Sequence, residues 1–216
     1  IITENTSLHT GGGIYLGGRD DSFGIIYDVI ITGNSSHYGS GVFIASDNWN
    51  LLNVRVENNT TNVAEAGSVI RGGGIYINEC SPKLENVIIS GNSVYINIST
   101  DTYGGGVYIK ESSPIFMNVV IFENSSQYGG GIYSSDESNP VFTNTIFWGN
   151  WIQSEVIDGP ASISYSNIQG GYEGEGNIEA DPKFCNPDSG DYTLAENSPC
   201  VGTGENGADM GAFSIG

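Results

Sequence analysis

The sequence is poor in positive charge: six Lys and Arg stand against 25 Asp and Glu, a formal net charge of −19. Such a surface repels nucleic acid, anionic membranes and polyanionic glycans at long range, so nucleic acid is not expected as a partner. No run of 18 apolar residues is present, and no membrane-spanning helix is expected. Lysine and methionine are scarce, 32 glycines interrupt the chain, and the apolar positions are filled mainly by Ile, Val, Tyr and Phe. These propensities argue against long helices and for strands. Three cysteines are too few for a disulfide framework. Cys185 and Cys200 share one irregular stretch while Cys80 stands alone, so one Cys185–Cys200 bridge in an oxidising compartment is expected from their proximity. The chain opens Ile1-Ile2-Thr3, with neither Met nor a signal peptide, and reads as a mature product or an excised piece.

What the sequence has in abundance is repetition. Glycine triplets begin at Gly11, Gly39 (as Gly39-Ser40-Gly41), Gly72, Gly104 and Gly129, spaced by 28, 33, 32 and 25 residues. Periods of this length signal stacked coils. A first polar column, Asn53, Asn86, Asn118 and Asn144, is led by Asp28. Six residues after each member comes a second column, Asn34, Asn59, Asn92, Asn124 and Asn150, with Asn5 in a truncated leading coil. Stacked coils place equivalent asparagines about 4.8 Å apart, close enough for amide to bond amide, so both columns are expected to be ladders.

Between the columns, apolar residues alternate with a period of two. Val87 and Ile89 align with Val54 and Val56, and with Val119 and Ile121; Leu84 aligns with Ile26, Leu51, Phe116 and Phe142; Ile75 aligns with Ile14, Val42, Val107 and Ile132. Three inward columns predict three parallel sheets. The position between Val87 and Ile89 accepts Arg55 in another coil and is expected to face out. Pro82, Pro114 and Pro140 share one place before a strand, where a missing N–H does not break the ladder.

The pattern of an apolar residue, two variable residues and Asn, followed by Gly-Gly-x-[Ile/Val], is read in Ile31–Asn34 to Gly39–Val42 and in Ile121–Asn124 to Gly129–Ile132. It resembles the repeats of polymorphic outer membrane proteins. That resemblance implies an all-β, right-handed parallel β-helix of about five to six coils, related in fold to autotransporter passengers and pectin-lyase-like proteins. Residues 1–160 are expected to form the coils, and 161–216 the last strands and an irregular C-terminal cap over the final coil. Ile1–Asn5 reads as the end of a coil whose earlier part is absent, leaving a strand edge that a second copy could extend into a filament.

Chemistry-bearing residues are sparse. Polysaccharide hydrolysis or elimination on this fold calls for clustered carboxylates with His, Arg or Lys. Here Arg19, Arg55, Arg71, Lys83, Lys110 and Lys183 fall on different coils, and neither His9 nor His37 has a carboxylate at a neighbouring equivalent position. No catalytic residue is nominated. Tyr15, Phe43, Tyr76, Tyr108 and Tyr133 are expected on the outer face of the glycine-led sheet, one per coil, as a sugar-stacking row or as rings that stabilise one another. The insertions Thr60–Arg71 and Ser93–Tyr103 leave one corner of adjacent coils and are candidates for a binding face. Calcium is considered at Asp20-Asp21, at Asp136-Glu137 and above all at Asp188 and Asp191, although none of these matches an established calcium loop; no other cofactor is expected. Of the sequons, Asn34, Asn59 and Asn124 fall in the ladder, leaving Asn58 and Asn97 as N-glycosylation candidates. The expectation is a secreted, extracellular or cell-surface module without catalysis, structural, filament-forming or adhesive. A polysaccharide-binding or polysaccharide-degrading β-helix is the alternative.

Overall fold

In a computed structural model, residues 1–18, 23–46, 49–61, 70–94, 101–151 and 155–216 are described. Arg19, Asp20, Asp21, Asn97 and most of the two insertions lie outside them.

The protein is an all-β parallel solenoid of about five turns, 3% helical. The glycine-led strands stack as one six-stranded sheet, from Ile14–Gly17 through Val42–Ala45, Ile75–Asn78, Val107–Lys110 and Ile132–Ser134 to Ile157–Asp158. Its registers are those the repeats predict, Ile14 opposite Val42, Ile75 opposite Val107, and Val107 opposite Ile132.

The other two strand columns do not form separate sheets. They merge into one sheet of eleven strands, because Lys83–Ser90 and Ile115–Phe122 each run unbroken through the corner between them. That corner is the first asparagine column. Asp28, Asn53, Asn86, Asn118 and Asn144 all have φ between 51° and 54°, the left-handed conformation that Asn and Asp tolerate best among residues with a Cβ. The left-handed residue bends the strand by one step without ending it, so the expected third sheet is the second limb of the long one.

The interior of the tube is a continuous stack of aliphatic and aromatic side chains. Val42, Ile75, Val107 and Ile132 line one wall, Leu51, Leu84, Phe116 and Phe142 a second, and Val56, Ile89, Ile121 and Phe147 a third, all buried. Phe116 and Phe142 stack at 4.4 Å between ring centres.

The C-terminal stretch begins with the expected last strands. Ser162–Ser164 and Asn167–Ile168 extend the long sheet by one more rung. Beyond them, Ile178 donates its N–H to Ser166 O and accepts from Ile168, closing part of the open edge. The remainder turns back along the side of the solenoid. The antiparallel pair Phe184–Asn186 and Asp191–Leu194, with the segment reaching Met210 and Ala212, covers the outward residues Ile88, Val120 and Ile146. Burying that apolar stripe is what the tail accomplishes, at roughly 25 cal/mol for each Å² removed from water.

The expected Cys185–Cys200 bridge is not formed. Cys200 is buried with its sulfur accepting from Asn167 Nδ2 at 3.1 Å, while Cys185 is exposed on a strand whose neighbour is Asp191–Leu194. Proximity in sequence did not become proximity of side chains, because the hairpin turns Cys185 outward.

Candidate functional site

The asparagine column inside the tube is a buried ladder. Asn34 Nδ2 donates to Asn59 Oδ1, Asn59 to Asn92, Asn92 to Asn124 and Asn124 to Asn150, each at 3.0 Å. Each backbone N–H of the same residues donates to the same oxygen, also at 3.0 Å. The second Nδ2 proton returns to a main-chain carbonyl in the tube wall, as Asn124 does to Ile89 O at 2.9 Å. The third glycine of each triplet makes room for this: a Cβ on Gly106 would sit 3.1 Å from Asn124 Nδ2 and 2.6 Å from Gly131 O. Glycine triplet and asparagine are two halves of one packing unit.

The corner column is a second ladder, outside the apolar tube. Asn144 Nδ2 donates to Asn118 Oδ1, Asn118 to Asn86, Asn86 to Asn53 and Asn53 to Asp28, at 3.1–3.2 Å. Asn144 Oδ1 then accepts the N–H of Glu205 at 2.7 Å, which ties the tail to the column. Sequence reasoning missed a third, shorter ladder: Cys80 N–H donates to Ser112 Oγ at 3.1 Å and Ser112 N–H to Ser138 Oγ at 3.2 Å. Its signal was legible, since Cys80, Ser112 and Ser138 each stand two residues before Pro82, Pro114 and Pro140.

The aromatic row exists, but not as an open platform. Tyr15, Phe43, Tyr76, Tyr108 and Tyr133 are stacked in succession at 5.4, 4.9, 4.9 and 5.2 Å. Phe43, Tyr76 and Tyr108 are buried at 9%, 5% and 6% exposure, since the faces a sugar would lie on are occupied by neighbouring rings. Only Tyr15, at the first coil, is widely exposed. A second column crosses this row edge-on: Thr10, Tyr38, Arg71, Tyr103 and Tyr128 occupy paired positions on successive coils. Tyr38 meets Tyr76 edge-on at 5.7 Å, Tyr103 meets Tyr133 edge-on at 4.8 Å, and the Arg71 guanidinium lies 5.2 Å over the ring of Tyr108. Burial pushes the Tyr76 hydroxyl up to about 12, with the neighbouring Tyr108 adding to the shift and Arg71 opposing it. Burial likewise raises Tyr103, Tyr108 and Tyr133.

The other chemistry-bearing residues do not converge. Arg55 binds Glu57 at 2.7 Å and donates to Gly190 O at 2.7 Å beside the Tyr192 ring, bordering a cleft of about 460 Å³ also lined by Glu123 and Asp188. Lys83 pairs with Glu85, and Lys110 with Glu79 and Glu111. The rings of His9 and His37 lie 6.3 Å apart on neighbouring coils. Asp191 Oδ1 accepts from Thr193 Oγ1 at 2.6 Å and from Thr193 N–H, which holds its carboxyl below the usual range. Asp188 lies in the short turn Pro187–Ser189. Among the described residues, no group of three or more His, Cys, Asp or Glu is placed to hold a metal ion. Asn58 is exposed, while Asn34, Asn59 and Asn124 are buried.

Stacked parallel coils, amide ladders and a glycine-led sheet define the class as a parallel β-solenoid. No protein-family model, curated protein or solved structure matches the chain.

Proposed function

We propose that the chain is a non-catalytic β-solenoid module serving as a secreted or cell-surface structural or adhesive element, as its resemblance to polymorphic outer membrane protein repeats implies. One observation carries this reading: the polar side chains that recur along the coils are committed to one another. The asparagines bond within two ladders, and the aromatic rings stack on rings. Such a molecule devotes its repeated chemistry to a rigid rod with a patterned surface. The first coil leaves the outer edges of Ile14–Gly17 and Gly24–Tyr27 without a strand partner among the described residues, with Tyr15, Phe23, Ile25 and Tyr27 exposed. Such an edge accepts a parallel strand, whether from an upstream coil or from another molecule.

The polysaccharide-degrading alternative draws its support from the cleft beside Arg55, yet that guanidinium is already bonded to Glu57 and Gly190. Incubating the protein with pectic, chitinous and mannan polysaccharides, while following reducing ends and unsaturated products, tests the proposal. No turnover is expected. Product formation that disappears in Glu123→Gln or Arg55→Gln would overturn it.

A further inference from the structure

Five basic side chains are described other than histidine, and four have an anionic or carbonyl partner: Arg55, Lys83 and Lys110 in ion pairs, and Lys183 with Asn197 O at 3.2 Å. Arg71 is the exception among the described residues. Its Nε is buried without a hydrogen bond, and no carboxylate among the described residues pairs with its guanidinium. Its backbone is fixed to the preceding coil, where Arg71 N–H donates to His37 O and Arg71 O accepts from Gly39 N–H. Tyr38 and Tyr103 stand one coil away in its own column, and the Tyr108 ring lies beneath the guanidinium.

On its own coil and the coils beside it, the hydroxyls of Tyr38, Tyr76 and Tyr108, and one coil further those of Tyr128 and Tyr133, make no hydrogen bond among the described residues, nor are they sealed from solvent. Tyr103 donates weakly to Asp101 at 3.4 Å. The corner therefore combines a planar, permanently charged fork, several free hydroxyls and ring edges. An arginine fork matches a carboxylate through two parallel hydrogen bonds, and the tyrosine hydroxyls match the hydroxyls of a sugar.

We infer that the corner centred on Arg71 is a binding site for a saccharide bearing a single terminal carboxylate. The inference rests on the adhesive reading above and names its ligand class. The net charge of −19 selects against long polyuronates, whose repeated charges are repelled, and leaves one carboxylate as the anion this isolated cation can hold. Arg71 sets orientation and acid specificity, and the tyrosine hydroxyls bond to those of the sugar.

Saturation-transfer and chemical-shift NMR titrations of the full chain test this with 3′-sialyllactose and a glucuronate-terminated disaccharide; the two arms distinguish the source of the acidic sugar. Lactose and the methyl ester of sialyllactose serve as controls. Binding of at least one acidic saccharide is expected, weakened about tenfold or more by methyl esterification and by Arg71→Gln, because each removes a charged hydrogen-bonding partner. Arg71→Lys should recover only part of the loss. Absence of binding by both acids, equal binding of the neutral controls, or unchanged affinity in Arg71→Gln would overturn the inference. The ester comparison uses the unaltered protein and holds even if the variants fold poorly. Cleavage of either saccharide would instead strike at the non-catalytic reading.

Discussion

Replacing Asn124 by alanine should destabilise the solenoid more than replacing Asn118, although both occupy recurring asparagine columns. The difference follows from what each amide does. In Asn124→Ala, the buried N–H and Nδ2 of Asn92 lose their shared acceptor, and the carbonyl of Ile89 loses its donor. Each orphaned buried group costs about 1–3 kcal/mol, and because one side chain links them the sum is sub-additive, about 3–5 kcal/mol. For a chain of this size that is a fall in Tm on the order of 10 °C. Asn118→Ala removes two partly exposed amide bonds and places alanine at a φ of 53°. Partial solvation lowers the first cost and left-handed strain adds about 1 kcal/mol, so the total is about 1–2 kcal/mol. Tyr108→Ala should cost about 3 kcal/mol, because the ring is buried between Tyr76 and Tyr133. Thermal melts by circular dichroism, with urea titrations to give free energies, measure all three. Equal losses for Asn118→Ala and Asn124→Ala would refute the division into an inner and an outer ladder.

Stability should also fall between about pH 10 and 12. Tyr76 has its folded value raised to about 12 from an ordinary 10.0, so over that window the unfolded chain loses the proton while the folded chain keeps it, and rising pH favours unfolding. A urea midpoint constant from pH 9.5 to 11.5 would contradict this. Maleimide should label one cysteine of the native chain, Cys185, and reach buried Cys80 and Cys200 only on unfolding; a native chain that takes no label would restore the Cys185–Cys200 bridge. Deleting residues 183–216 should uncover Ile88, Val120 and Ile146 and increase binding of a hydrophobic dye, and unchanged binding would mean that the tail does not lie along that face. Glycopeptides from a glycosylating host should show Asn58 accessible to modification and Asn34 and Asn124 bare.

The repeat makes the solenoid legible because each register appears several times: Ile75, Val107 and Ile132 align in the sequence, and the structure pairs those residues. Both asparagine columns were readable for the same reason. The sheet count was not, because whether a strand ends at Asn86 depends on a single left-handed residue that bends the chain without breaking its hydrogen bonds. Nor was the tail, which lacks the repeat; its docking face was hinted at by the outward apolar residues Ile88, Val120 and Ile146, but Arg55 at the equivalent place made that position read as solvent-facing. The burial of the tyrosine row was missed because alternation reports which side of a strand a ring leaves, not what then covers it. Tyr38, Tyr103 and Arg71 provide that cover from an isolated bridge and from two-residue strands, too short to show an alternation.

The recurring asparagines are structural, one column sealed inside the tube and the other at its outer corner. Hydrogen exchange of side-chain amides, followed by NMR on asparagine-labelled protein, tests this most directly. The Nδ2 protons of Asn34, Asn59, Asn92 and Asn124 should exchange slowly, approaching the rate of global unfolding, and those of Asn53, Asn86 and Asn118 much faster. Rapid exchange of the first group, or equal protection of the two, would contradict it.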